Sequence, residues 1–185
     1  GWYNFVSLWV ACISTILLIA IFLKRKGYLP QLNENHLHDL GKYAFAFSIF
    51  WTYLWFSQFM LYWYGNIPEE TKWFLERART NYSGLFYANL FLNFIFPFLM
   101  FMRRDAKRDM NVLTIVASVL VLSHWLDFFV MIMPITVGEH WGIAFMEVGM
   151  FLTFAGLFLF VVFRELAKAS LVPEKHPLYK ESLDH

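Results

Sequence analysis

The chain has 185 residues, of which 59% are hydrophobic, 21% aromatic and 16% charged, with a formal net charge of +1 and a mean hydropathy of +0.48. A soluble domain of this size needs far more surface charge, and the short alternating segments of a membrane β-barrel are absent. The fold class that remains is an all-α polytopic membrane protein, with the lipid bilayer as its surroundings and no nucleic acid among its expected partners.

A helix that crosses the hydrocarbon core needs roughly 20 apolar residues. Five stretches meet that length: about 2–23, 43–64, 82–102, 112–135 and 142–163. Residues 1–168 therefore read as one bundle of five helices, and 169–185, with Pro173 and Pro177, as a cytoplasmic tail. The polar stretch 33–42 holds His36 and His38 and reads as a solvated loop rather than a metal site. The stretch after the second span, with mixed charges, reads as a loop. Pro97, deep in the third span, predicts a kink, and Pro134 a stop near the end of the fourth. Cys12 is the single cysteine, so neither a C-x-x-C-H haem c site nor an all-cysteine iron–sulfur site fits within this chain.

Lys and Arg set the expected orientation. They cluster after the first span (Lys24, Arg25, Lys26, Lys42), after the third (Arg103, Arg104, Lys107, Arg108) and in the tail (Arg164, Lys168, Lys175, Lys180). The turn after the fourth span has none. This places the N-terminus outside and the C-terminus in the cytoplasm. No basic region precedes Trp2, so the start does not read as a signal peptide. With Gly rather than Met in first position and an outside N-terminus, an odd number of further helices is expected upstream.

The fourth span carries the costly residues. An ionised carboxylate near the centre of a membrane helix costs about 2.5–3.5 kcal/mol on the insertion scale, and such groups mark proton, ion or ligand sites. His124 and Asp127 lie three apart and so share a helix face. Glu147, on the fifth span, falls at a similar depth in the outer half, with Glu139 and His140 in the turn above. Together they form a ladder of carboxylate and imidazole groups suited to a proton relay. The competing reading is structural, with Asp127 paired to His124 as a packing lock. Three ionisable groups at one depth favour the relay. A quinol headgroup site at His124, Trp125 and Asp127 is the next reading. A haem b is disfavoured, since His124 has no histidine partner at its depth, and no metal is expected. The inner half lacks charges. Its best polar candidates are Ser48, Thr52, Tyr53, Ser57 and Gln58, although Ser and Thr often bond their own helix.

The stretches WFSQFMLYWYGNIPEETKWF (55–74) and HWLDFFVMIMP (124–134) resemble the NrfD-like family of polysulfide-reductase membrane subunits. Within it they are most similar to the second large membrane subunit of bacterial alternative complex III. The resemblance implies the C-terminal half of a ten-helix subunit in the bacterial cytoplasmic membrane. It also implies a sister NrfD-like subunit, an iron–sulfur protein and c-type cytochromes as partners, with a terminal oxidase as a further one. The haem c and iron–sulfur clusters would reside in those partners, leaving this chain without a redox centre of its own. The assembly would oxidise quinol in a respiratory or photosynthetic chain and pass electrons to cytochrome c or another acceptor, while this subunit supplies a proton path. Two alternatives stand beside that function: a purely structural scaffold for peripheral electron-transfer subunits, and half of a proton-coupled transporter. The last predicts helices broken at the midplane, for which Pro97 is the one candidate.

Overall fold

The computed structural model describes residues 1–103, 105–138, 142, 145–168 and 170–172. Among them the regular structure is all helical: α1 Trp2–Arg25, α2 Glu34–Gly65, α3 Pro68–Arg79, α4 Ser83–Leu90, α5 Phe96–Met102, α6 Met110–Thr136 and α7 Phe145–Leu166. Five rods are long and apolar enough to cross a membrane, namely α1, α2, the continuous stretch Ser83–Met102, α6 and α7. Each overlaps one of the five expected stretches, although α2 begins nine residues before the expected 43. The tail residues 173–185 lie outside the described residues.

The first correction concerns residues 34–42, which are helical rather than a loop. Asn33 caps α2. Its side-chain oxygen accepts from the His36 N–H at 2.9 Å, and its own N–H donates to His36 Nδ1 at 3.2 Å. This is a reciprocal capping box with imidazole where Glu or Gln usually stands. His36 is thus a helix-start residue, and His38 is buried further into the first turns.

The second correction is α3, in a stretch expected to be loop. Pro68 opens it, Glu69 and Glu70 occupy its first turn, and Arg77 and Arg79 its last. These are the charges that a helix dipole favours at each end. Its polarity and its 12 residues put it below any span criterion.

The two prolines act differently from each other. Pro97 has no N–H to offer the Asn93 carbonyl. The residues just before it form a π-helical turn, Phe91–Ile95, that joins α4 to α5. Pro134 does not stop α6, which continues to Thr136. It does leave the Val130 carbonyl without a helical donor. Buried Arg77 supplies one instead, with Nε on Val130 O at 3.1 Å and Nη2 on Met131 O at 2.8 Å.

α1 runs antiparallel to α2 and α6 and packs mainly on them. Tyr3 meets Trp51 with ring centroids 5.7 Å apart and Trp9 meets Phe47 at 5.8 Å. Arg25 donates to Asn111 at 2.7 Å at the opposite end. The bundle thus has a Gly1 end and a Lys24 end. Its core is an α1 stripe of Val6, Val10, Ile13, Leu17 and Ile21 against Leu37, Ala44 and Trp51 of α2 and Leu113, Val116, Ala117 and Leu120 of α6. Gly41 permits the close approach of α2 to α6, because a Cβ there would lie 3.1 Å from Leu113 Cδ2. α7 has no buried residue. It touches the bundle through Phe163 on Phe22 and Phe151 on Trp125, with ring centroids 5.7 and 5.3 Å apart. An apolar groove of about 820 Å³ lies between α7 and the α1 and α6 rods.

Candidate functional site: a carboxylate held by three helices

Asp127 is 4% exposed and receives four hydrogen bonds from outside its own helix. On Oδ1, the Tyr3 hydroxyl donates at 2.6 Å and the Asn89 amide at 2.8 Å. On Oδ2, the Ser7 hydroxyl donates at 3.0 Å and the Trp51 indole N–H at 3.2 Å. Four donors match the four lone-pair sites of an ionised carboxylate. They come from α1, α2 and α4, so a single side chain ties α6 to three rods.

The four donors differ in kind. An indole N–H and an amide NH2 can only donate, so Trp51 and Asn89 hold the carboxylate in place. The hydroxyls of Ser7 and Tyr3 can both donate and accept. One sits on each oxygen.

Ser7 Oγ also lies 2.9 Å from His124 Nδ1. A hydroxyl has one hydrogen. With that hydrogen on Asp127, the His124 contact must run from Nδ1–H to Ser7 Oγ. His124 is then the Nδ1–H tautomer, and Nε2 carries a bare lone pair. Nε2 is buried and has no hydrogen-bond partner. The Trp51 ring meets the imidazole edge-on at 5.8 Å.

A second polar arm leaves through Asn89. Because Asn89 Nδ2 faces the carboxylate, its Oδ1 must accept, and Asn93 Nδ2 donates to it at 2.6 Å. Asn93 Oδ1 in turn accepts from Ser123 Oγ at 2.8 Å. The π turn places Asn93 here, fully buried; such turns often occur at functional sites.

Toward the Gly1 end a cavity of about 300 Å³ opens onto the cluster, lined among others by Asn4, Gln58, Trp73, Asn89 and Asp127. α3 closes its side. Arg77 stacks on Trp73, 3.8 Å from the ring centroid. It also donates to the Trp73 carbonyl at 2.8 Å. Burial draws the Arg77 pKa below its ordinary range, opposed by the nearby Glu76. Tyr82, whose hydroxyl donates to Gly138 O at 2.7 Å, has its pKa raised by burial, with Arg77 opposing.

The ladder read from the sequence is brought together only in part. His124 and Asp127 share Ser7 rather than bonding each other directly. Glu147 sits on α7 and lines the apolar groove with Trp125, whereas the four donors to Asp127 come from α1, α2 and α4. Glu139 and His140 lie outside the described residues. The three residues expected to form a quinol site do not gather at one cavity. Asp127 lines the polar pocket, Trp125 the apolar groove, and His124 neither.

Of the five polar residues of α2, Ser48 is buried without a hydrogen bond and Thr52 bonds the Ser48 carbonyl. Tyr53 is exposed and Ser57 half-buried. Gln58 lines the pocket at the Gly1 end. Because Trp51 stands level with Asp127, residues 53–58 lie toward Gly1. Only Ser48 clearly occupies the half to which all five were assigned. The participants missed in the sequence are Tyr3, Ser7, Trp51, Asn89, Asn93 and Ser123. Two of the signals were present: Tyr3 with Ser7 and Asn89 with Asn93 each stand four apart in an apolar span, the spacing of one helix face.

Among the described residues no group of three or more His, Cys, Asp or Glu is placed to hold a metal ion. What the fold and site define is an all-helical chain with five rods of membrane-spanning length around a buried carboxylate cluster. No protein-family model matches the chain, and no curated protein matches it in sequence.

Proposed function

We propose that this chain is an integral membrane subunit that carries protons through Asp127, within a quinol-oxidising electron-transfer complex. The carrying observation is that each oxygen of Asp127 pairs one fixed donor with one reversible hydroxyl. A proton reaching His124 Nε2 from the Lys24 end makes an imidazolium. Nδ1–H then passes its proton to Ser7 Oγ, and Ser7 passes its own to Asp127 Oδ2. The carboxyl group then turns to present that proton to Tyr3, whose hydroxyl accepts it as its own hydrogen passes to the pocket lined by Asn4 and Gln58. The reverse direction uses the same bonds. Trp51 and Asn89 hold the ionised carboxylate in place between transfers.

The membrane and the complex are part of the same proposal. The clustering of Lys and Arg supports an orientation with the Gly1 end outside and the other end cytoplasmic, and the likeness to NrfD-like subunits supports a bacterial inner membrane. The likeness to NrfD-like subunits supports a sister subunit, an iron–sulfur protein, c-type cytochromes and a terminal oxidase as the surrounding machinery, with quinol as the reductant. The redox centres would belong to those partners.

The test removes the hydroxyls and leaves the carboxylate. Ser7→Ala and Tyr3→Phe are assayed in the assembled complex for quinol oxidation and proton movement together. The relay predicts that proton movement falls at least about tenfold in each while the subunits still assemble. Proton movement at the unmodified rate in both variants would overturn it.

A second reading has its own observation, since four bonds to three rods also make Asp127 a packing lock. On that reading, the same variants lose thermal stability and leave proton movement unchanged.

A further inference from the structure

Hydroxyls within the long helices are mostly satisfied by their own backbone. Thr15, Thr52, Thr114, Ser118 and Thr153 each donate to the carbonyl four residues earlier, at 2.6–2.9 Å. Ser14 and Ser48 are exceptions. Both are buried, at 0% and 2% exposure, and the Oγ of each has no hydrogen-bond partner. The one other buried side-chain polar atom in that state among the described residues is His124 Nε2.

All three lie on the Lys24 side of Asp127. Ser48 is one turn from Trp51 along α2, and His124 one turn from Asp127 along α6, while Trp51 bonds Asp127 and packs on His124. Ser48 and His124 therefore share a level. Ser14 is about two turns beyond Ser7 on α1, on the stripe that faces α2 and α6. A buried hydroxyl or imidazole nitrogen left unpaired is costly, and proteins meet that cost with buried water bonded to two to four polar groups. Ser48 offers a donor and an acceptor, and Nε2 an acceptor. Water supplies both.

We propose that a water molecule is bound in the seam of α1, α2 and α6 between Ser48 Oγ and His124 Nε2, and that Ser14 Oγ is the next polar stop toward the Lys24 end. In the relay, this water is the donor to Nε2, so the site rests on the proposed proton function and supplies its inner half. A water O–H points at the lone pair of Nε2. It gives its proton there as it takes another from the Ser14 side, so no charge accumulates on it.

The experiment is a map of the assembled complex at a resolution that shows ordered water, for the unmodified protein and for Ser48→Val and Ser48→Ala. The expected result is density within hydrogen-bond distance of Ser48 Oγ and His124 Nε2. It should be lost in Ser48→Val, whose methyl groups fill the site. In Ser48→Ala it should persist at reduced occupancy, held by Nε2. Proton movement should fall in Ser48→Val by about the same factor as in Ser7→Ala. A dry site in the unmodified protein overturns the inference, as does unchanged density in Ser48→Val. Those results leave the Ser7 and Tyr3 relay standing. Conversely, water at Ser48 together with normal proton movement in both Ser7→Ala and Tyr3→Phe upholds the site and removes the relay.

Discussion

Asp127 shows how a residue that is unfavourable alone becomes the centre of a bundle. Removing a carboxylate from water is costly unless every lone pair finds a donor, and here four side chains provide one each. Substitutions should therefore grade by how many donors they orphan. In Asp127→Asn, one oxygen becomes NH2 and faces two donors. A hydroxyl can turn to accept from it, but Trp51 or Asn89 cannot, so one buried donor is lost at about 1–3 kcal/mol. Asp127→Leu orphans all four and should melt well below Asp127→Asn. Thermal unfolding of the purified complex in detergent measures both, and equal melting of the two variants would show that the donors do not hold the bundle. The cluster was half legible. Asp127 and His124 stand out because a titratable residue in an apolar span is rare. Tyr3, Ser7 and Trp51 do not stand out, since a hydroxyl or an indole in such a span is ordinary, and only the fold brings them to one carboxylate.

At the level of elements, α3 and α6 form a pair that neither segment announces in its own sequence. Pro134 opens the Val130 carbonyl, and Arg77 closes it from a helix separated by more than 50 positions. A double-mutant cycle tests that division of labour. Arg77→Met alone should strand the Val130 carbonyl and cost about 1–3 kcal/mol. In a Pro134→Ala background, an N–H returns to Val130, so Arg77→Met should cost measurably less. Additive losses in melting free energy would remove the link between the two residues. The five long rods were readable because length and hydropathy define them. α3 was not, because its content is polar and it owes its stability to docking Phe74 and Arg77. The start of α2 was hidden by a histidine in a capping box.

At the level of the molecule, direction matters more than depth. A relay is vectorial only if its two ends face different compartments, and the ends of this bundle differ in charge. The Lys24 end collects Lys24, Arg25, Lys26, Lys107 and Arg108, whereas the other carries Glu69, Glu70 and Glu76 alongside Lys72, Arg77 and Arg79. For the proposed relay, the positive-inside rule predicts that the pocket beside Asp127 faces outside and His124 Nε2 faces inward. The orientation is testable with single cysteines in a Cys12→Ser background, because Gln31, Glu69 and Arg108 are all exposed and lie off the long apolar stretches. Glu69→Cys should react with a membrane-impermeant maleimide added to intact cells stripped of their outer barrier. Gln31→Cys and Arg108→Cys should react only after the membrane is permeabilised. The opposite pattern would reverse the sense of the path and place the pocket on the cytoplasmic side. Labelling of Gln31→Cys and Glu69→Cys from the same side would mean that α2 does not cross, and the five-rod membrane arrangement would fall with it.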